Sequence, residues 1–223
     1  MTMKKTAVIV AGGSGVRMGT DVPKQFLHLK GKPIIWHTVQ QFFYAYYDIQ
    51  IVLVLPASYV KEAATYFEPA QLSHIQFVEG GTTRFESVKN GLHAVKEPGV
   101  IFVHDGVRCL VSSDLIKKCY EEALVHGSAI PAVTATDSIR LISGETHQVV
   151  DRNLVKIIQT PQIFALSSLK KAFNQDFSPH FTDDASVIEA TGETIHLIEG
   201  NYTNIKITTP EDLLVAESIL QPK

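Results

Sequence analysis

The sequence predicts an α/β fold: a doubly wound, largely parallel, Rossmann-like sheet with a projecting β-hairpin arm. Three observations carry this. Short apolar runs recur, as in AVIVA (residues 7–11) and QIVLVL (50–55); stretches with helical spacing separate them; and a glycine-rich loop follows the first run.

The elements follow in order. The run 7–11 reads as a buried strand, closed by a glycine-rich loop over residues 12–23. Pro33 starts a helix whose Ile34, Ile35, Thr38, Val39, Phe42, Phe43 and Tyr46 share one face. A strand at 50–55 and a helical segment at 58–67 come next. A strand at 75–78 leads to a helix opened by Thr83 with Glu86 three residues on, a capping box. A strand at 100–103 precedes a helix over 113–126 that stops before Gly127. Residues 137–152 break the rhythm: DSIRLI and HQVVDR flank Ser143, Gly144 and Glu145, which reads as a hairpin arm whose apolar residues lie against something. The alternation resumes with a strand at 155–158, helices near 167–177 and 182–190, and strands near 194–199 and 204–208. Thr209 and Pro210 cap a closing helix. Without an internal repeat or linker, the chain reads as one domain, residues 1–223, plus the arm at about 137–152.

Composition narrows the function. With 223 residues, 45% of them apolar and 19% charged, the chain can bury about 70% of its unfolded surface, which excludes disorder for its bulk. Twenty Lys and Arg against 23 Asp and Glu leave a net charge of -3, so no overall basic field collects nucleic acid or anionic lipid, and any anion site must be built locally. Cys109 and Cys119 have neither disulfide-framework nor zinc spacing. No apolar run approaches the length of a signal peptide or a membrane span. A cytoplasmic protein that binds neither nucleic acid nor membrane is expected.

The candidate chemistry lies after the strands, where α/β sheets bind ligands. Ala11, Gly12, Gly13, Ser14, Gly15, Val16 and Arg17 follow the first run, and glycines there let backbone N–H groups approach an anion beside a fixed guanidinium. Neither the dinucleotide fingerprint nor GxxxxGK fits, since Met18 and Thr20 stand where those motifs need other residues. A tight turn without ligand is the alternative. Lys24, behind Pro23, can fold over the same mouth and join Arg17 on a polyphosphate; alone it would be a solvated lysine. Gly80, Gly81, Arg84 and Ser87 follow the third run, His104, Asp105 and Arg108 the fourth, and Thr160 and Gln162 the strand at 155–158. Turn chemistry or capping explains each group singly, while their coincidence at strand ends points to a site. His28, His37, His93 and His196 are scattered and read as surface or packing residues. There is no GxSxG elbow, HExxH or cysteine beside an evident base. Nucleotidyl transfer to a phosphate monoester suits such a site, because the acceptor is already ionised, its second pKa being about 6. Aligning two anions and stabilising charge at the attacked phosphate asks for Arg and Lys.

Taken together, AGGSGVRMG with PKQF, GGTTRFESV, HDGVR, VVDR, QTPQIF, TDDAS and NIKITTPEDL closely resemble the 2-C-methyl-D-erythritol 4-phosphate cytidylyltransferases across nearly the whole chain. The resemblance implies CMP transfer from CTP to methylerythritol phosphate in non-mevalonate isoprenoid precursor synthesis. It further implies Mg²⁺ held mainly by the CTP phosphates, with no protein metal ligand, and a homodimer formed through the arm. By position it implies Arg17 and Lys24 on the CTP phosphates, with Ala11, Gly12, Gly13 and Gly15 lining the nucleotide. Gly81 and Ser87 would meet the cytosine, and Asp105 and Arg108 the ribose and sugar phosphate. Arg152 and Lys206 would position methylerythritol phosphate, and Ser138, Thr160 and Thr182 complete the substrate contacts, Ser138 and Arg152 being given by the other subunit. Two departures stand out. Gly106, Val107 and Cys109 replace residues of the usual HDAARP, implying a looser backbone around Asp105, and Ser138 replaces a commoner threonine while keeping its hydroxyl. No fused cyclase domain is expected after PEDLLVAESIL. The competing readings are a ribitol 5-phosphate cytidylyltransferase, differing in the polyol site, and a nucleotide-binding protein without turnover.

Overall fold

The computed structural model describes residues 3–12 and 22–220. The chain runs β1 (Lys4–Val10), a short hairpin of β2 (His28–Leu29) and β3 (Lys32–Pro33), α1 (Ile34–Ala45), β4 (Gln50–Leu55), α2 (Val60–Ala64), α3 (Pro69–Leu72), β5 (Ile75–Glu79), α4 (Arg84–Ala94) and β6 (Gly99–Asp105). It continues through α5 (Ser113–His126), β7 (Ser128–Thr134), β8 (Ile139–Ser143), β9 (Thr146–Val150), β10 (Lys156–Ile158), β11 (Gln162–Ala165), α6 (Leu166–Ala172), α7 (Asp184–Glu189), β12 (Leu197–Glu199) and α8 (Pro210–Ile219).

The main sheet has the order β10-β7-β11-β6-β1-β4-β5, with β12 also paired to β7. Strands β6, β1, β4 and β5 are mutually parallel, while β11 runs antiparallel between β6 and β7. The apolar runs are continuous because both sheet faces are covered. Ala7, Ile9, Ile51, Leu53 and Leu55 pack on one side with Val39 and Phe42 of α1 and Ile116 and Cys119 of α5. The alternate residues Val8, Val52 and Val54 pack on the other with Val88 and Leu92 of α4, Leu169 of α6 and Val187 of α7.

Local signals set the helix starts. The Thr83–Glu86 capping box opens α4, Ser112 accepts the Leu115 N–H at the start of α5, and Gly127 ends α5 at φ 81°. Asp183 and Ser186 cap α7 reciprocally, as Thr209 and Asp212 do α8. Several expectations change. In place of one helix over 58–67, the chain forms a 3₁₀ turn at Ala57–Tyr59 and the short α2, which ends at Ala64. The helix expected over 167–177 ends at Ala172. Strands β7 and β11 are additions, and residues 204–208 are no strand. That segment bonds locally, Asn204 N–H to the Asn201 carbonyl and Ile205 N–H to that of Thr203, while Ile207 N–H reaches Val107.

The hairpin at 137–152 is present as β8 and β9, a separate two-stranded sheet with Ile139 opposite Val150 and Ser143 opposite Thr146. Gly144, at φ 59°, takes the turn. Leu141, Ile142 and Val149 are exposed on it. No described helix is long and apolar enough to cross a membrane.

Gly91 lets α4 lie close on the sheet, since a Cβ there would stand 2.5 Å from Val8 Cγ1 and 3.0 Å from Val54 Cγ2. Overpacking of this kind costs about 1–3 kcal/mol, against a helix-propensity gain of at most about 1 kcal/mol. Gly91→Ala should therefore lower the urea midpoint at unchanged m-value; a raised midpoint would refute the close approach.

Candidate active site

Because β1, β4, β5 and β6 are parallel, their carboxyl ends open on one edge, and antiparallel β11 brings its amino end, with Thr160 to Gln162, to the same rim. At one end of this rim the loops after β1 and β5 meet. Ala11 donates its N–H to the Val54 carbonyl at 2.9 Å, and its own carbonyl accepts the buried Gln25 amide at 2.5 Å. That bond ties the Lys24–Phe26 3₁₀ turn, and with it half-buried Lys24, to the first loop. A Cβ on Gly12 would lie 3.1 Å from Ser87 Oγ and 3.7 Å from Gly80 Cα, so only glycine backbone fits comfortably there. Ser87 Oγ donates to the Thr83 carbonyl at 2.9 Å and accepts the Gly81 N–H at 3.0 Å. Gly12, Gly81 and Ser87 thus form one cradle. The Glu86 carboxylate fixes the same turn by accepting from the Thr82 hydroxyl and from the Thr82 and Thr83 N–H groups, bonds that hold it below its ordinary pKa. Gly13, Gly15 and Arg17 lie outside the described residues.

The centre of the rim is Asp105, the last residue of β6. Its Oδ1 faces Arg84 Nε at 3.2 Å, and its Oδ2 faces Lys206 Nζ at 3.0 Å and Arg108 Nε at 3.5 Å. Burial alone would push this carboxyl up; the attraction of Arg84, Lys206 and Arg108 outweighs it and holds the group well below the carboxylate range. Arg84 also grips the fully buried Asp184 through two bonds of 2.9 and 2.6 Å. The three cations differ in reach. Arg108, with 11% of its side chain exposed, donates Nη1 to the Asn204 carbonyl and Nη2 to that of Ile158. Lys206, at 41%, faces solvent. Arg108 therefore braces the wall, and Lys206 is the most solvent-open of the three cations around Asp105.

Beneath Asp105 runs an internal relay of hydrogen bonds. The Asp105 N–H donates to Thr160 Oγ1 at 3.1 Å, and Thr160 pairs with His104 Nδ1 at 2.9 Å. His104 Nε2 lies 3.2 Å from the Arg108 carbonyl, which can only accept. That partner places the imidazole proton on Nε2, so the Thr160 hydroxyl donates to Nδ1. Thr160 is buried and acts on Asp105 rather than presenting its hydroxyl outward. The looser backbone expected around Asp105 is not found. Gly106 donates its N–H to Val10 at 2.9 Å and accepts from Thr38 at 2.8 Å, and a Cβ on it would come within 2.8 Å of Ala11 and Ile35.

A cavity of about 230 Å³ opens over this cluster, lined by the expected Asp105, Arg108, Thr160, Thr182 and Lys206, by the strand-end candidates Arg84 and Gln162, and by Asp183 besides. Ser138 and Arg152 do not line it. They stand exposed at the base of the β8–β9 hairpin, where Arg152 Nη1 donates to the Thr136 carbonyl at 2.7 Å. Arg84 was legible as a residue following a strand, but its partner Asp184 was not singled out; searching TDDAS for the anion that a buried arginine needs would have found it. The donor set also bears on a metal ion. Asp105 has both oxygens engaged by cations, and Asp183 accepts from Gln162 Nε2 and the Ser186 N–H, at 2.8 and 2.9 Å. These residues do not make a protein cage for Mg²⁺.

Burial pushes His104 down to about 3, the nearby Asp105 only partly opposing it. A histidine in the unfolded chain titrates near 6.5, at about the ordinary value. Below that pH the unfolded chain binds a proton that the native ring refuses, so unfolding free energy falls as pH drops from about 6.5 towards 3. Urea melts at about pH 7.5 and about pH 5 should show this loss, and His104→Asn should shrink it. An equal loss in the variant would clear His104 of the effect.

The chain matches the family model for 2-C-methyl-D-erythritol 4-phosphate cytidylyltransferase over residues 5–222. A protein of that name from Bacteroides thetaiotaomicron is 47% identical, the match covering 98% of this chain and 100% of the relative. Among solved structures, the Thermus thermophilus 2-C-methyl-D-erythritol 4-phosphate cytidylyltransferase superposes with a TM-score of 0.77 at 30% identity, covering 98% of both chains. The 4-diphosphocytidyl-2C-methyl-D-erythritol synthase of Anaerococcus prevotii gives 0.82 at 27%, covering 99% of both. With the glycine cradle and the Asp105 cluster on one rim, and with likeness to these proteins along almost all of its length, the chain belongs to the 2-C-methyl-D-erythritol 4-phosphate cytidylyltransferase family.

Proposed function

We propose that this chain transfers CMP from CTP to 2-C-methyl-D-erythritol 4-phosphate, giving 4-diphosphocytidyl-2-C-methylerythritol and pyrophosphate. The observation that carries the reading is Lys206 Nζ held 3.0 Å from Asp105 and open to solvent, on the same sheet edge as the cradle of Gly12, Gly81 and Ser87. The cradle receives the nucleotide, with the Gly81 N–H oriented by Ser87, and Asp105 meets the ribose. Lys24 and Arg17 bind the triphosphate and stabilise charge at the α-phosphate as it is attacked. Lys206 and Arg152 hold the acceptor phosphate, Arg152 and Ser138 coming from the second subunit of a homodimer joined through the hairpin. An acceptor phosphate oxygen forms a bond to the α-phosphorus, and the bond from that phosphorus to the α,β-bridging oxygen breaks, sending pyrophosphate out. No protein base is required, since the acceptor is ionised near neutral pH. Mg²⁺, held mainly by the CTP phosphates, would supply charge neutralisation to the triphosphate. The setting is the cytoplasm.

Product identification with CTP and two acceptors side by side tests the reading: pyrophosphate should be released with methylerythritol phosphate and little with ribitol 5-phosphate. The reverse preference would give the site to the ribitol enzyme, and CTP binding without product to a non-catalytic protein.

Lys24→Ala should lower turnover by roughly 10²–10³-fold, the loss typical of one transition-state donor, with little change in CTP affinity. Arg152→Ala should instead raise the KM for the acceptor. If Arg152 works across subunits, mixing the two variants should restore part of the activity, because a heterodimer keeps one intact site. Recovery no greater than the sum of the separate variants would show that each chain builds its site alone.

A further inference from the structure

Away from the rim, the last turns of α5 and the residue entering β12 bring three ligating side chains together. Glu122 and His126, one turn apart on α5, face His196, and their ligand atoms all lie within 4.8 Å of one another. Glu122 Oε2 is 3.4 Å from His126 Nε2 and 3.7 Å from His196 Nε2. The two imidazole rings stack, with centroids 3.7 Å apart and planes 16° from parallel. All three side chains are partly exposed, so an ion can reach them.

We propose that Glu122, His126 and His196 form a binding site for one zinc-class divalent cation, separate from the nucleotide site. Tetrahedral zinc with bonds of about 2.0–2.1 Å sets its ligand atoms about 3.4 Å apart. The two Glu122 to histidine separations are already close to that spacing, and side-chain rotation out of the present stack would turn both imidazole nitrogens onto the ion. Two imidazoles and a carboxylate are the ligand types of zinc, and two nitrogens make the set unsuited to Mg²⁺.

The ligands are held by the fold. His196 donates its N–H to Ser128 Oγ at 3.0 Å, and its carbonyl accepts the Ile130 N–H at 2.9 Å. Ser128 follows Gly127 directly, the residue that ends α5, so both arms of the site are rooted in one α5–β7 corner. The α5 carboxyl end adds the negative pole of its helix dipole. Lys118, one turn before Glu122, points its ammonium at the Glu199 carbonyl, 3.3 Å away. β12 is separated from β6 by β7 and β11, so the ion would pin the outer part of the sheet to α5 without touching the Asp105 cluster.

Titration of the untagged full-length chain with ZnCl₂ in buffer containing MgCl₂, followed by calorimetry and thermal melts, tests the site. One Zn²⁺ should bind per chain, with a melting temperature that rises with Zn²⁺ and is unmoved by Mg²⁺ alone. His126→Gln and His196→Gln should each weaken binding by more than about tenfold, since loss of even an outer partner of a metal ligand costs about 10–100-fold. His93→Gln, on α4, should leave binding unchanged. Saturable binding lost in both site variants upholds the proposal. It is overturned by the absence of saturable binding, or by equal binding to the unaltered chain and the doubly substituted one.

Discussion

The rim depends on one buried carboxylate shared among three cations. Asp105 sits at the end of a fully buried strand, where an unpaired charge would be costly, and Arg84, Arg108 and Lys206 close around it. These groups come from the start of α4, the turn after β6 and the segment after β12. Asp184, from the start of α7, completes the array through Arg84. Removing one partner of such a buried pair typically costs about 3–5 kcal/mol, because the other charge is left uncompensated. The cluster thus ties four distant parts of the chain together while leaving Lys206 able to meet an anion. A mildly acidic protein can still gather cations at one rim because its charges are placed locally.

The same constraint divides the site into groups that face a ligand and groups that hold others in place. Thr160 spends its hydroxyl on His104 and receives the Asp105 N–H. Arg108 spends its guanidinium on two carbonyls besides Asp105. Ser87 orients the Gly81 N–H. A motif identifies such residues by position, but only packing tells which of their atoms remain available.

Much of the fold was legible because its signals are local. The β4 run, the capping box at Thr83 and the 113–126 span of α5 before Gly127 each rest on a few adjacent residues, and each is found in the structure. Strand β7 was not read because Pro131 interrupts a pattern that otherwise suits a strand, and β11 because it follows Pro161 and is only four residues long. Residues 204–208 look like a strand by composition. Yet Asn204 is buried with its amide on the Thr160 carbonyl, and its own carbonyl accepts from Arg108, so distant side chains decide the backbone path. The pairing of Arg84 with Asp184 spans 100 residues and leaves no periodic trace. The gathering of Glu122, His126 and His196 is likewise a product of how α5, β7 and β12 meet.

The β8–β9 hairpin shows how a weak element is given a direction. An isolated two-stranded hairpin is marginal in water. This one is inserted between β7 and β10, which pair with each other from Thr134 opposite Lys156 to Ala132 opposite Ile158. Above that ladder the Ala135 N–H reaches the Val155 carbonyl at 3.0 Å, and Arg152 reaches Thr136, so the neck is closed before the strands begin. The neck therefore carries the sheet's order outward to the base of the hairpin, but it adds no cover for Leu141, Ile142 and Val149 at its exposed end. The homodimer proposed above accounts for this exposure, because a second copy packed on the hairpin would bury those residues. Under that proposal Arg152 and Ser138 act beyond their own chain because they stand at the foot of this hairpin, whose apolar residues its own subunit leaves exposed.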